Sequence, residues 1–217
     1  MSESAPTRVR VWDVPTRIVH WSMVLLFAFS WWTAEKGQLE WHRWSGYSLT
    51  ALVLFRLYWG FFGGSTARFA QFLCGPRAVV SYLRGASFAV PGHNPVGAWS
   101  VVLMLALLAT QIVLGLFAVD VDGLESGPLS SLVSFDTGRV AAKLHEANFN
   151  ILLAVIGVHI LAALYYLVVR KQNLIGAMFT GRRSFDGSQS GLVPASIARL
   201  IVGILIAAAL TWFISRE

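Results

Sequence analysis

The sequence predicts an all-α integral membrane helix bundle that forms a single domain over residues 1–217. Hydrophobic residues make up 56% of the chain and charged residues only 13%, about half the charged share of a soluble domain. Nine tryptophans suit the headgroup level of a bilayer, where aromatic rings gather. Five apolar segments are long enough to cross about 30 Å of hydrocarbon. They run over residues 18–35, 43–62, 96–118, 145–169 and 196–214.

Each segment has its own support in the sequence. The first, residues 18–35, follows a basic arm but lacks a small-x-small cleavage site, so we expect a retained helix and not a signal peptide. Arg56 interrupts the second segment, which is the least apolar. Asn94 and Pro95 precede the third and are typical of a helix N-cap and first turn. The fourth contains two histidines, and the fifth is the most uniformly aliphatic.

Two stretches outside the spans also have a predicted structure. Residues 76–84, with the sequence PRAVVSYLR, predict a short amphipathic helix that lies along the inner membrane surface. Residues 182–192 are polar and rich in glycine and serine, which predicts a flexible linker before the last span.

Positive charge recurs in alternate connections and predicts the orientation. Arginine and lysine are frequent in the N-terminal arm, in residues 63–95 and in residues 170–183; they are scarce in residues 36–42 and offset by acidic residues in 119–144. Because positive loops stay in the cytoplasm, we expect the N-terminus inside and the C-terminus outside. Membrane topology thus accounts for the formal charge of +6, and we expect no nucleic-acid partner.

Four of the five histidines lie in or at the edge of predicted spans: His20, His42, His145 and His159. An ionisable group at membrane depth is costly, so each is a candidate functional residue. The fifth, His93, lies in a polar loop beside a helix cap, and we expect a structural role for it.

The spacing and depth of these histidines predict two metal sites. His145 and His159 are separated by 14 residues on one helix, about 21 Å of rise, and face the same side of it. The topology places His42 and His145 near the outer surface, and His20 and His159 nearer the inner one. Each pair supplies the two axial nitrogens of a six-coordinate haem iron. The single cysteine, Cys74, excludes the Cys-x-x-Cys-His attachment of covalent haem, so we expect two non-covalent b haems.

Two glycines and two side-chain amides lie near these histidines in the sequence. Gly46 and Gly157 let a flat macrocycle approach closely, but ordinary helix packing explains them equally well. Gln111 and Asn148 are expected to tie helices together by hydrogen bonds.

Cations near each pair are candidate partners of haem propionates. Arg17 and Arg56 lie near the predicted inner haem, and Arg43 and Lys143 near the outer one. For Arg56 we favour the alternative that its side chain extends to the inner headgroups.

The stretch VWDVPTRIVHW at residues 11–21 resembles the opening of the bacterial cytochrome b561 and nickel–iron hydrogenase b-type cytochrome superfamily. Further matches are HRWSGY at 42–47, RLYWGF at 56–61, GHNP at 92–95 and LHE at 144–146, and the resemblance covers about residues 8–180. It implies two b haems in a four-helix core, with His20, His42, His145 and His159 at the family's ligand positions. The fifth segment, about residues 196–214, lies beyond the resemblance.

The resemblance also implies that the chain, in the bacterial inner (plasma) membrane, exchanges electrons between a quinone pool and a redox partner protein. We expect the membrane-anchor subunit of an oxidoreductase, whose partner is a periplasmic or membrane-associated c-type cytochrome, hydrogenase or dehydrogenase. The alternative is a stand-alone quinone-linked oxidoreductase that acts on a small substrate at the outer face. A metal or proton transporter is disfavoured, because Glu146 is essentially the only acidic residue within the spans.

Overall fold

The computed structural model describes residues 7–86, 92–122, 125–185 and 191–216. Helices make up 74% of the structure, which confirms the all-α prediction. The long helices are α1 (Val14–Glu35), α2 (Leu39–Phe62), α5 (Pro95–Phe117), α6 (Phe135–Val168) and α8 (Ile197–Ile214). The short ones are α3 (Phe69–Phe72), α4 (Pro76–Leu83) and α7 (Leu174–Thr180), and two strands are β1 (Thr7–Arg10) and β2 (Arg182–Phe185).

The five predicted spans correspond to the five long helices. Among the described helices, α5, α6 and α8 are both long and apolar enough to cross a membrane. Helices α1 and α2 have 22 and 24 residues, which is sufficient length, but they are less apolar. Helix α6 begins at Phe135 instead of residue 145, because Ser134 caps its N-terminus by accepting a hydrogen bond from the Thr137 amide.

Asp13 joins the start of α1 to α2. Its carboxylate accepts one hydrogen bond from the Thr16 amide at 2.8 Å, which caps the helix, and a second from Trp59 Nε1 at 2.9 Å. Both Asp13 and Trp59 are buried. A carboxylate at a helix N-terminus is favoured by the exposed amides there. The aspartate of the WDVPTR stretch therefore has a structural role.

The long helices pack in a chain of pairs. Helix α1 packs against α2, α5 against α6, and α2 also contacts α5 and α8. Gly203 of α8 lies so close to α2 that a β-carbon there would be 2.6 Å from the Tyr58 ring. A small residue at this position lets the two helices approach, as is common in membranes. Helix α8 is thus attached to the bundle through α2.

A two-stranded sheet joins the N-terminal arm to the segment before α8. Strands β1 and β2 pair antiparallel, with Thr7 opposite Phe185 and Arg10 opposite Arg182. The Val11 amide continues this contact by donating to the Gly181 carbonyl at 2.8 Å. The linker prediction is therefore wrong for residues 182–185, and 186–190 lie outside the described residues. The sheet places the two arginine-rich segments at the same end of the bundle.

A small polar cluster lies in the described part of the connection between α2 and α5. The predicted amphipathic helix is present as α4. Asn94 caps α5 as predicted, since its Oδ1 accepts from the Gly97 amide at 2.7 Å. Its Nδ2 donates to the Tyr166 hydroxyl at 2.9 Å, and that hydroxyl also bonds to the Tyr82 hydroxyl. This cluster connects α4, the start of α5 and the end of α6.

Candidate functional site

The structure brings His42 of α2 and His145 of α6 together. Their ring centroids are 6.1 Å apart and their ring planes are inclined at 82°. Both side chains are partly buried. These are the two residues that the topology assigns to the outer membrane side.

Backbone carbonyls hold both rings in defined orientations. His42 Nδ1 is 2.9 Å from the Ser30 carbonyl oxygen, and His145 Nδ1 is 2.9 Å from that of Gln111. A neutral imidazole that donates its Nδ1 hydrogen carries its free lone pair on Nε2. A backbone carbonyl or carboxylate behind the ring is the usual arrangement for histidines that ligate a metal. Both Nε2 atoms are thus available as ligands.

The separation of the two rings fits a metal ion between them. Metal–imidazole nitrogen bonds in proteins are about 2.0–2.1 Å long, and two such bonds plus the radii of both rings give a centroid separation of about 6 Å. Two imidazole nitrogens are also a donor set that would suit the iron of a b-type haem. His42 and His145 would therefore be able to hold one haem.

Gln111 and Asn148 brace the α5–α6 pair beside this site. The Asn148 amide donates to Gln111 Oε1 at 2.7 Å and to the Leu107 carbonyl at 3.0 Å. Both side chains are buried, so an unmade bond is costly. The expected helix-tying role is confirmed. Since the Gln111 carbonyl also accepts from His145, the bracing contributes to the position of that ring.

Gly115 is a site residue that sequence analysis missed. A β-carbon at Gly115 would be 2.9 Å from Cε1 of His145, closer than side chains normally approach. By contrast, a β-carbon at Gly46 or Gly157 would meet no protein atom within 4 Å. Close helix packing therefore does not explain these two glycines, and Gly157 also lies about 160° around α6 from His159, away from the predicted inner haem. Nothing in the sequence separates Gly115 from other glycines in apolar helices.

Arg43 and Lys143 are the predicted cations of the outer site. Arg43 makes an ion pair with Glu125 at 3.0 Å, which links α2 to the loop between α5 and α6. Lys143 is exposed on α6. In the described part of the chain, Arg43–Glu125 is the sole salt bridge. Arg43 thus holds the outer loop close to His42.

His20 of α1 and His159 of α6, the predicted inner pair, are partly buried. Within the described residues their rings make no direct contact of the kind that the outer pair makes. His20 Nδ1 is buried and has no hydrogen-bond partner among the described residues. His20 therefore lacks the hydrogen bond from Nδ1 to a backbone carbonyl that orients each of the outer rings.

His93 lies between two aromatic rings. Its ring contacts Trp12 and Phe72, with centroids 4.7 and 4.8 Å away. Burial lowers the pKa of His93 to about 3, and the nearby charge of Arg56 contributes to the shift. These aromatic contacts suit the structural role that we expected for His93.

Arg56 is buried near the end of α2, whereas Arg17 connects α1 to α7. Arg56 is only 7% exposed; its guanidinium lies over the Phe69 ring at 5.2 Å, and Nη1 donates a long hydrogen bond of 3.4 Å to the Ala67 carbonyl. The favoured interpretation, a side chain extended to the headgroups, is therefore wrong. Arg17 Nη1 donates to the Phe179 carbonyl, which ties α1 to α7.

Comparison with protein families decides the identity of the fold. The family model described as prokaryotic cytochrome b561 matches residues 11–181. The chain belongs to the prokaryotic cytochrome b561 family. The match extends from the residues before α1 to the turn after α7 and excludes α8, in agreement with the predicted resemblance. No curated protein sequence and no solved structure gives a significant match. Membership in the cytochrome b561 family indicates a membrane protein that transfers electrons through b-type haem.

Proposed function

We propose that this cytochrome b561 family member is a di-haem protein that transfers electrons across the membrane between a quinone pool and a redox partner protein. His42 and His145 are the axial ligands of the outer haem, and His20 and His159 those of the inner haem. The observation that carries the proposal is the outer pair: two imidazoles in an edge-to-face arrangement with ring centroids 6.1 Å apart, each with its Nδ1 bonded to a backbone carbonyl.

Four helices supply all the groups of the proposed sites. Helix α1 contributes His20 and the Ser30 carbonyl, α2 contributes His42, α5 contributes the Gln111 carbonyl, and α6 contributes the remaining two histidines. Helix α8 contacts α2 through Gly203 on another part of the bundle. This division supports a four-helix haem-binding core with an additional C-terminal span.

When bound, the two haems supply one-electron oxidation and reduction of iron. The chain holds the axial imidazoles on rigid helices, so little nuclear motion accompanies a change of charge. The carbonyls behind His42 and His145 raise the basicity of the outer rings. The protein thereby sets the position and the potential of each site.

We further propose that the protein lies in the inner membrane of a bacterium, with the β1–β2 end in the cytoplasm. The arginine-rich segments meet at that end, which supports this orientation under the positive-inside rule. The outer site then faces a periplasmic or membrane-associated partner, which is a c-type cytochrome, a hydrogenase or a dehydrogenase.

A reduced-minus-oxidised spectrum with pyridine haemochrome stoichiometry tests the haem content. We expect two b haems per chain in the purified protein. His145→Ala and His159→Ala should each leave one haem, and the surviving haem should keep its midpoint potential. A colourless wild-type protein, or a His159→Ala variant that retains two haems, would show the ligand assignment to be wrong.

Exchange with a quinone is tested on the same preparation. We expect a short-chain quinol to reduce the haems, or the matching quinone to oxidise them, without any other protein present. Purification under mild conditions should also bring down a redox protein. If neither quinone nor quinol changes the haem spectrum, the quinone part of the proposal is wrong even though the haem assignment stands.

A further inference from the structure

Three nitrogen-bearing side chains lie near the start of α1 and the end of α2, the end of the bundle assigned to the inner haem, and have no acidic partner among the described residues. They are Arg56 on α2, Arg68 at the start of α3, and His93 before α5. Arg68 lies between the two residues that Arg56 contacts, Ala67 and Phe69. His93 is connected to Arg56 through two aromatic rings, since Arg56 lies over Phe69 and the Phe72 ring contacts both Phe69 and His93.

The nearest carboxylate is already engaged. One oxygen of Asp13 accepts from the Thr16 amide and the other from the Trp59 indole. The sole described ion pair, Arg43–Glu125, lies at the outer site. The cluster therefore carries positive charge that no protein carboxylate in the described chain neutralises by direct contact.

Several donors of this cluster have unused hydrogen-bonding capacity. Arg68 Nε and His93 Nδ1 are buried and have no partner among the described residues. Arg56 has one long hydrogen bond for five donor hydrogens. Buried donors without partners and buried charges without counter-ions are costly, so such a cluster indicates an anion that is bound there.

We infer that Arg56, Arg68 and His93 bind the propionate carboxylates of the inner haem. This inference rests on the proposed function. A guanidinium matches a carboxylate with two parallel hydrogen bonds, and the unpartnered Nδ1 of His93 supplies one more nitrogen donor. Phe69 and Phe72 pack against Arg56 and His93 and keep water away, which strengthens these bonds.

The test measures the inner haem by itself. In a His145→Ala background only the inner haem remains, so its midpoint potential and its rate of loss to apomyoglobin are read directly. Arg56→Gln should lower the potential, because a lost positive charge favours the ferric state. It should also speed haem loss on the order of tenfold or more, as expected when a hydrogen bond to a charged group is removed. Arg56→Lys should restore most of the potential.

Two further variants are tested, so that the result does not depend on whether Arg56→Gln folds. Arg68→Gln removes the second charge, and His93→Phe keeps the ring contacts with Trp12 and Phe72 but removes the donor. Both should speed loss of the inner haem.

The matched control is Arg77→Gln, an exposed charge on α4, which should change neither potential nor haem loss. In a His159→Ala background, which keeps the outer haem, Arg56→Gln should also have no effect.

The inference is overturned if the inner haem keeps its potential and its rate of loss in all three variants. Equal shifts of both haems would also overturn it, since they would indicate a general loss of structure or binding of another anion, such as a lipid phosphate, remote from the inner site. A wild-type protein without haem would instead reject the proposed function, so the two failures are distinguishable.

Discussion

The rings of His42 on α2 and His145 on α6 meet edge to face with their planes at 82°, and each ring is held from behind by a carbonyl of another helix. The carbonyl behind His42 belongs to Ser30 of α1, and that behind His145 to Gln111 of α5. Four helices therefore define one pair of imidazoles. The orientation of the two rings is a property of the whole bundle.

The near-perpendicular rings predict the electronic signature of the outer haem. Perpendicular imidazole planes leave two iron d orbitals nearly equal in energy, which produces a strongly anisotropic low-spin ferric signal. We expect an electron paramagnetic resonance spectrum with one large principal g value from the His159→Ala variant, which keeps the outer haem. A rhombic signal typical of parallel imidazoles would contradict the ring orientation.

Gly115→Ala should disturb the outer site and leave the inner site unchanged. The added β-carbon would lie 2.9 Å from the His145 ring, so the ring must rotate or shift. Alanine is a better helix former than glycine, so weakening of α5 is not a competing cause. We expect a lower outer-haem content or an altered resonance spectrum for that haem.

The matched control for Gly115→Ala is Gly157→Ala. A β-carbon at Gly157 would meet no protein atom within 4 Å. Gly157 precedes His159 by two residues on α6 and therefore points about 160° away from it around the helix. We expect both haems to be retained with unchanged spectra. If Gly115→Ala behaves in the same way, the contact between Gly115 and His145 has no influence on the site.

Asp13→Ala should destabilise the protein. The substitution removes the cap of α1 and leaves the buried Trp59 indole without an acceptor, and the two losses together cost about 2–4 kcal/mol. Asp13→Asn keeps an oxygen for the cap and should cost less. Thermal unfolding in detergent, followed by circular dichroism, measures both. Equal melting temperatures for wild type and Asp13→Ala would show that this connection between α1 and α2 does not stabilise the fold.

The side of the membrane reached by α8 is testable with fused reporters. Five crossings place the two termini on opposite sides, with the basic N-terminal arm inside. An alkaline phosphatase fused after Glu217 should therefore be active, and one fused after Thr180, before α8, should be inactive. The reverse activities would invert the orientation. Inactivity of both fusions would show that α8 does not cross.

Much of the fold was predictable because it depends on short-range patterns. Apolar runs of sufficient length mark the five long helices, and the caps at Asn94 and Pro95 mark the start of α5. The strands β1 and β2 were missed, since their pairing joins residues 7–10 to 182–185 and has no local signal. The buried position of Arg56 was also missed, because its neighbours Ala67 and Phe69 reach it only through the fold of the α2–α3 connection.

By itself the sequence determined the membrane class, the helices and the histidines at membrane depth, because hydropathy and the cost of a buried ionisable group are properties of single residues and short segments. Only the tertiary structure decided which nitrogen of each outer histidine is free. The acceptors of His42 and His145 lie 12 and 34 residues away in the chain and on other helices. Such contacts depend on how helices pack, and a linear pattern does not contain that information.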